Sequence, residues 1–491
     1  MSVIRRQGIK NTVYTYLGIA LGVLSTLYIQ PFFLTKEQIG ITRLVITVSA
    51  ILTSFSCLGV TGLITRFFPF FHDSQKKHNG FFTVAVAVPL LGFGLCFGVV
   101  KIFEDKLISL YGENGPLLKL YFWPIMLGAF FNCLVFAFNA YCNAIHKSTV
   151  PTLINEVYNR VALIVCILLF SYGVTTQDQY IYSLAAIFTV QMLLLLAAIS
   201  VYDHPNINPA FFFNNQQLPE MVRYSLIATF MQIAGVCLKF IDIFFVGKYQ
   251  DLDKVGIYSI AAFIGLVLET PLNAIEKIAG AKIARLFAAN DLEGIHKIYI
   301  LSSKYLMVFC GLLGCILVSC IEPTLGLLPG GYQEGTWVTI VICIGAFFNA
   351  ATGVNYSILN YSNAYKLGSL FYLGLLVLAC ALNIWLIPTY GIMGAAIATA
   401  TASVLHNILR YGIIKWKLKM QPFNLDSLRI LIIIPIALLI ACLISVTNPY
   451  MLIFLRGLAS TVVFLLLLIL FKVFTLAEIK EEFTSLKKTF F

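Results

Sequence analysis

The sequence predicts an all-α polytopic membrane protein of about fourteen transmembrane helices, built as two parallel six-helix repeats plus two C-terminal helices. Three observations predict it. Of 491 residues, 59% are hydrophobic and only 11% charged, against roughly 45–50% and about 25% in soluble domains. The apolar residues fall into runs long enough to cross a bilayer, which takes roughly 20 residues. Fragments of the first half recur about 217 residues later. This composition excludes an ordinary soluble enzyme, and also a disordered chain, which needs low hydrophobicity and high charge.

The first six runs lie near 9–33, 40–68, 81–103, 117–145, 151–172 and 180–201. Arg5, Arg6 and Lys10 precede the first, which is too long for a signal-peptide core and lacks a small-x-small cleavage site. It reads as an uncleaved span that starts in the cytoplasm. A polar stretch, 203–219, carries Pro205, Pro209 and several Asn and Gln, and reads as a cytoplasmic linker. The runs resume near 220–247, 254–281, 299–320, 333–361, 366–387, 391–414, 428–447 and 450–474. With the N-terminus inside, most of the 33 Lys and Arg fall at cytoplasmic ends, from Arg66 and Lys76 to Lys480, Lys487 and Lys488 in the tail. That bias sets orientation and places both termini inside. It also accounts for the net charge of +11, so no nucleic-acid partner is predicted. The twelve cysteines are scattered singly in apolar runs without metal-ligand spacing, and read as small buried hydrophobes.

The repeat organises these runs. Gly128-Ala129-Phe130-Phe131-Asn132 recurs as Gly345-Ala346-Phe347-Phe348-Asn349, and at the same offset of 217 Asn143 matches Asn360. Gly40-Ile41 matches Gly256-Ile257, and Tyr172-Gly173 matches Tyr390-Gly391. The offset covers six spans, and an even number preserves orientation. Parallel repeats of this kind are a transporter architecture with a site near the membrane midplane. The expected organisation is an N-terminal six-helix lobe (1–202), the linker (203–219), a C-terminal six-helix lobe (220–427), and two additional helices with a cytoplasmic tail (428–491).

No GxxxxGK[ST], HExxH or GxSxG motif occurs, so no catalytic residue, metal site or cofactor is predicted. Asp251-x-Asp253 superficially matches a glycosyltransferase motif, but falls in a short external loop where nucleotide sugars are absent. Charges at membrane depth carry more information, because each is costly and usually faces a cavity or a partner. Lys239 and Asp242 lie mid-span, three residues apart and so on one helix face; Glu269 is mid-span, and Glu276 lies deeper toward the cytoplasm. Lys239 and Asp242 read either as an ion pair tying helices together or as the lining of a polar cavity with Lys239 as an anion contact. Arg43 either joins that lining or snorkels to the surface. Arg66, Arg160 and Arg285, placed near cytoplasmic ends, read as topology anchors or as a cytoplasmic gate able to grip phosphate. Asp242, Glu269 and Glu276 are candidates for a coupling-ion site. Pro271, two residues after Glu269, offers a bend beside the cavity. The recurrence of Asn132 as Asn349 favours a shared packing role over substrate contact.

The plan resembles the multidrug/oligosaccharidyl-lipid/polysaccharide exporter superfamily, and in particular its polysaccharide-exporter branch, the O-antigen and capsule repeat-unit flippases. The resemblance covers nearly the whole chain. It is carried by Val255-Gly256-Ile257-Tyr258-Ser259-Ile260-Ala261, by Gly353-Val354-Asn355-Tyr356-Ser357-Ile358-Leu359, and by 386–399, which contains Pro388-Thr389-Tyr390-Gly391-Ile392-Met393-Gly394-Ala395-Ala396. Asp242 falls where that branch often carries an acid. The resemblance implies a flippase that moves a polyprenyl-pyrophosphate-linked oligosaccharide across the bacterial cytoplasmic membrane by alternating access. Membrane lipid, a polysaccharide polymerase and chain-length machinery are the implied partners. Family cavities are basic and lined by both lobes, which matches Lys239, Asp242, Glu269 and Arg43 in location. The chain departs from the family in having no ionised residue in the middle of its first span. Two rival readings stand beside this one: a cation-coupled multidrug exporter of the same fold, and a membrane-embedded polymerase or glycosyltransferase. The latter is disfavoured because no large external loop is predicted.

Overall fold

The computed structural model describes residues 3–73, 77–208, 211 and 216–473. Lys76, parts of the linker (209–210 and 212–215) and the tail from 474 on, with Lys480, Lys487 and Lys488, lie outside the described residues. Among the described residues the fold is all-helical. The principal helices are α1 (Lys10–Phe33), α2 (Lys36–Ser56), α3 (Val60–Phe71), α4 (His78–Ile102), α5 (Phe122–Ala144), α6 (Thr149–Ser171) and α7 (Gln177–Asp203). They continue with α8 (Leu218–Tyr249), α9 (Leu252–Ala288), α10 (Leu292–Leu327), α11 (Gly335–Ala351), α12 (Asn355–Tyr361), α13 (Tyr365–Leu418), α14 (Leu425–Cys442) and α15 (Pro449–Leu470).

Twelve of the described helical stretches are long and apolar enough to cross a membrane, thirteen when α11 and α12, bent by 50°, count as one span. α13 has 54 residues, about 80 Å at 1.5 Å per residue and more than twice the roughly 30 Å hydrocarbon core. Its backbone is non-helical at Gly391 (φ 58°, ψ −138°), three residues after Pro388. Divided there, α13 supplies two spans, and the total reaches the fourteen expected. The chain is a multi-pass membrane protein.

Helix starts follow local chemistry. Thr35 opens α2 with a capping box closed by Gln38, Thr176 opens α7 with Gln179, and Asn424 opens α14 with Ser427; each satisfies backbone donors that the first turn leaves free. The run expected as one span at 40–68 is two helices. Leu58 (φ 43°) and Gly59 (φ 66°) both adopt left-handed backbone between α2 and α3, and the Leu58 carbonyl accepts a hydrogen bond from the Ser225 hydroxyl of α8. Pro271 marks a break of the predicted kind: a 3-10 turn at Val267–Glu269 interrupts α9, which restarts at Thr270.

By packing, the chain divides into two compact units, residues 1–259 with 383–392, and residues 260–382 with 393–491. The core of unit 1 is aromatic: Phe67, Phe68, Phe81, Phe82, Phe138 and Tyr141 are nearly inaccessible. Two repeat-related glycines bring α2 and the start of α9 together in this unit. A methyl group on Gly40 would overlap the Leu252 carbonyl oxygen, and one on Gly256 would overlap that of Lys36; small residues allow such close approach in membranes. In unit 2 the core joins α10 to α14 and α15 through Met307, Cys315, Ile430, Ile433 and Phe464. Lys304 Nζ reaches Asp426 Oδ2 at 2.9 Å, and Arg456 donates to the carbonyls of Ile444 and Ser319. All of the twelve cysteines but Cys442 are at least partly buried.

Candidate sites at membrane depth

In unit 1 a group of charges on α2 and α6 lies beside polar residues of α1. α1 loosens into a π-helical stretch at Leu24–Ile29, just before Pro31, which has no N–H to return to the preceding turn. α6 carries a second π-helical stretch, Ile154–Tyr158. Such segments recur at functional sites. Arg43 of α2 is half-buried; its Nη2 donates to Gln30 Oε1 at 3.0 Å and to Thr26 Oγ1 at 3.5 Å. Arg160 of α6 lies 3.5 Å from Glu156 Oε2, one turn earlier. The two guanidinium groups are close enough to feel each other's charge. Their Nε–H groups are buried without a partner among the described residues. The result is two cations and one carboxylate in a half-buried setting.

Glycines on α1 make room for this group. A methyl on Gly22 would overlap Arg160 Nη1, and one on Gly18 would lie 2.8 Å from the Glu156 side chain. Arg160, expected near a cytoplasmic end, is therefore in the middle of α6 beside α1. Asn155, on the π-helical stretch, exchanges hydrogen bonds with Asn139 of α5 (3.3 and 3.4 Å) and accepts one from Gln191 of α7 at 2.6 Å. None of these three amides stood out in the sequence.

On α8, Lys239 and Asp242 do not form the ion pair that was one of two readings. Asp242 Oδ1 accepts a hydrogen bond from Asn383 Nδ2 at 3.1 Å. Lys239 is exposed, with its Nζ over the Phe240 ring at 5.6 Å. Arg66 of α3 is 3.2 Å from Glu220 of α8, both side chains more than half exposed, and its guanidinium lies over Tyr224.

In unit 2, Glu269 Oε1 accepts from Asn349 Nδ2 of α11 at 3.1 Å. Asn407 Nδ2 of α13 donates to Asn349 Oδ1 at 3.1 Å, and Asn355 Nδ2 donates to Asn407 Oδ1 at 3.0 Å. Glu276, two turns further along α9, accepts from the Ser357 hydroxyl of α12. It is electrostatically coupled to Arg410 of α13, which lies over the Tyr356 ring at 5.2 Å. Arg285 is exposed near the end of α9. Neither unit holds three His, Cys, Asp or Glu side chains grouped to bind a metal among the described residues.

One sequence signal would have found all of these clustered amides except Asn155. At an offset of 216 or 217, Asn132 pairs with Asn349, Asn139 with Asn355 and Gln191 with Asn407.

Comparison with known proteins agrees with this architecture. The model of the family described as "Polysaccharide biosynthesis protein" matches residues 8–278, more than half of the chain. No curated protein matches the sequence. Among solved structures, the chain superposes on the lipid II flippase MurJ in an inward closed conformation with a TM-score of 0.77. Identity is 15%, covering 94% of this chain and 98% of MurJ. An inward-facing multidrug-resistance MATE transporter gives 0.62 at 14% identity, over 83% and 94% of the two chains. A transporter from Pyrococcus furiosus, whose description notes a binding pocket of reversed polarity, gives 0.56 at 14%, over 84% and 95%. At such identities these likenesses establish the fold. The chain belongs to the polysaccharide biosynthesis protein family and has the fold of the multidrug/oligosaccharidyl-lipid/polysaccharide exporter superfamily.

Proposed function

We propose that this protein is a flippase that carries a polyprenyl-pyrophosphate-linked oligosaccharide from the inner to the outer face of the bacterial cytoplasmic membrane, for O-antigen, capsule or exopolysaccharide assembly. Both termini are cytoplasmic, and the two six-helix lobes (1–202 and 220–427) work by alternating access. The headgroup passes through a hydrated path while the prenyl tail stays in lipid. A polysaccharide polymerase and its chain-length machinery take the product.

The observation that carries this reading is the Arg43–Arg160 group. Two guanidinium groups lie near one another, at the depth of the spans, with only Glu156 paired to them. Uncompensated charge in that setting is expensive, and a guanidinium is shaped to grip a phosphate through two N–H groups at once. The unpaired Nε–H of each arginine is a donor available to such a ligand. Lys239 adds a third cation that Asp242 does not neutralise. Arg66 and Arg285 remain the candidates for a cytoplasmic gate, while Arg160 is assigned to the anion site. Asp242, Glu269 and Glu276 are the candidates for a coupling ion. Moving a dianionic pyrophosphate outward across an inside-negative potential releases about 2.3 kcal/mol per charge per 100 mV, so the potential alone favours export.

The test uses Arg43→Ala, Arg160→Ala and Lys239→Ala. Each should reduce surface polysaccharide, and reduce flipping of a fluorescent polyprenyl-pyrophosphate oligosaccharide in proteoliposomes, without lowering the amount of inserted protein. Tight binding of lipophilic cations by the purified protein, with none of prenyl-pyrophosphate sugars, would replace this reading with a drug exporter of the same fold.

A further inference from the structure

Glu269 occupies a position that the other half of the chain fills with a neutral residue. It stands 216 residues after Thr53, and Asn349 stands 217 after Asn132. In unit 1 Asn132 Nδ2 reaches Thr53 Oγ1 at 3.4 Å; in unit 2 Asn349 Nδ2 reaches Glu269 Oε1 at 3.1 Å. The same pair of positions makes the same contact in both halves, with a hydroxyl in one and a carboxylate in the other. Packing therefore does not require the charge, and a carboxylate held at membrane depth calls for another reason.

The groups behind Asn349 supply one. Asn355 donates to Asn407, Asn407 to Asn349, and Asn349 to Glu269. Thr352 also donates to Asn407 Oδ1, at 3.2 Å, and the second Nδ2 hydrogen of Asn407 is taken by the Ser403 carbonyl at 2.9 Å. Every amide in this chain aims its N–H toward the carboxylate. That direction suits an ionised carboxylate, which only accepts, and aligned bonds of this kind polarise one another. Protonation gives Glu269 a donor in place of one acceptor oxygen, and with the proton on the oxygen that faces Asn349 that asparagine must present Oδ1 to it. Asn349 and then Asn407 would turn over, which changes the contacts among α9, α11 and α13.

We propose that Glu269 is a reversibly protonated carboxylate whose charge sets the direction of an amide relay through Asn349 and Asn407 to Asn355. Those three asparagines are its positioning residues. The proton comes from water and adds to a carboxylate oxygen; no other bond forms or breaks, and unit 2 gains one positive charge. The titratable groups on the surrounding elements are Cys310 of α10, which donates to the Leu268 carbonyl and is coupled to Glu269, and Cys343 of α11. His406 and Arg410 lie on α13, and Glu276, held by Ser357, lies on α9 itself. The inference deepens the flippase reading by naming how transport is coupled.

The test is infrared difference spectroscopy on the purified protein between neutral and acidic pH, with Glu269→Thr and Asn407→Leu as variants. Threonine is the residue that unit 1 already packs in this setting, and Glu269→Gln serves as a second variant if Glu269→Thr does not fold. The wild-type spectrum should contain a carboxylic-acid carbonyl band that Glu269→Thr lacks. Asn407→Leu should keep the band and move its midpoint to higher pH, because it removes donors that favour the anion. Identical difference spectra for wild type and both Glu269 variants would overturn the proposal, as would an unmoved midpoint in Asn407→Leu. This readout needs no substrate. A protein with the Glu269 band that flips no lipid-linked oligosaccharide would refute the flippase reading and leave the relay standing. Flipping that shows the same pH profile in wild type and Glu269→Thr would do the reverse.

Discussion

Gly59→Ala should be among the most damaging single methyl additions in unit 1, and its cost can be separated into two parts. Gly59 has φ 66°, and an L-residue in left-handed backbone costs roughly 1–2 kcal/mol. The added methyl would also lie 2.6 Å from the Ser225 carbonyl oxygen, 2.7 Å from the Thr229 amide nitrogen and 2.8 Å from the Ala228 methyl, all on α8. Ordinary contact begins near 3.4 Å, so α8 must withdraw by most of an ångström, and overpacking of that kind typically costs about 1–3 kcal/mol. The sum is roughly 2–5 kcal/mol. Gly173→Ala is the internal control, with φ 72° and nothing within 4 Å of an added methyl; it should show the backbone part alone. Ala228→Gly removes only one of the three overlaps and should restore little of the loss. Thermal unfolding of the three variants in detergent should rank Gly59→Ala well below Gly173→Ala. Equal shifts for those two would mean that α3 and α8 do not approach this closely, and full rescue by Ala228→Gly would mean that the helix backbones are not the obstacle.

Two other substitutions separate function from stability. Gly22→Ala should push the Arg160 guanidinium off α1 and reproduce most of the flipping loss of Arg160→Ala while leaving the melting temperature nearly unchanged, since the overlap is with the far end of a flexible side chain. A large melting shift with normal flipping would show that α1 and α6 pack here without serving transport. The exposed Arg66–Glu220 pair should contribute at most about 1 kcal/mol, so Glu220→Ala should melt like wild type. If Arg66→Ala loses flipping while Glu220→Ala keeps it, Arg66 acts on the substrate; matching losses would assign both residues to an interhelix tie.

Much of this fold was legible in the sequence because membrane helices are written in composition. A run of 20 apolar residues can hardly be anything else, and the repeat offers a grouping of the runs into two sets of six. What escaped notice depended on backbone angles and on cross-helix pairing. Nothing about Leu58 announces a left-handed residue, so α2 and α3 read as one run. Arg160 was assigned to a cytoplasmic end by its charge, whereas two glycines on α1 let it lie against that helix. The Lys239–Asp242 spacing could not reveal that Asn383, 141 residues from Asp242, donates to the carboxylate. The amide clusters were invisible for the same reason, until the offset already known from Gly128 and Gly345 is applied to Asn139, Gln191 and Thr53.

The two halves keep one polar framework and charge it differently. Within lipid, side-chain amides are tolerated where they satisfy each other, and both units use the equivalent pairs Asn139 and Gln191, Asn355 and Asn407: the first pair meets at Asn155, while in the second Asn355 donates to Asn407 and Asn407 to Asn349. Such a cluster is also a place where a charge can be added at reduced cost, because oriented dipoles are already present. Unit 1 has placed Glu156 and Arg160 beside its cluster, with Arg43 near, and carries an excess of positive charge. Unit 2 has replaced the equivalent of Thr53 by Glu269 and ends its cluster on a carboxylate. A duplicated neutral scaffold would have given both halves the same charge if packing were the only demand. The two halves place different charges beside related amide clusters, Arg160 with Arg43 near in one and Glu269 in the other, and that difference supports one half binding an anion and the other a proton.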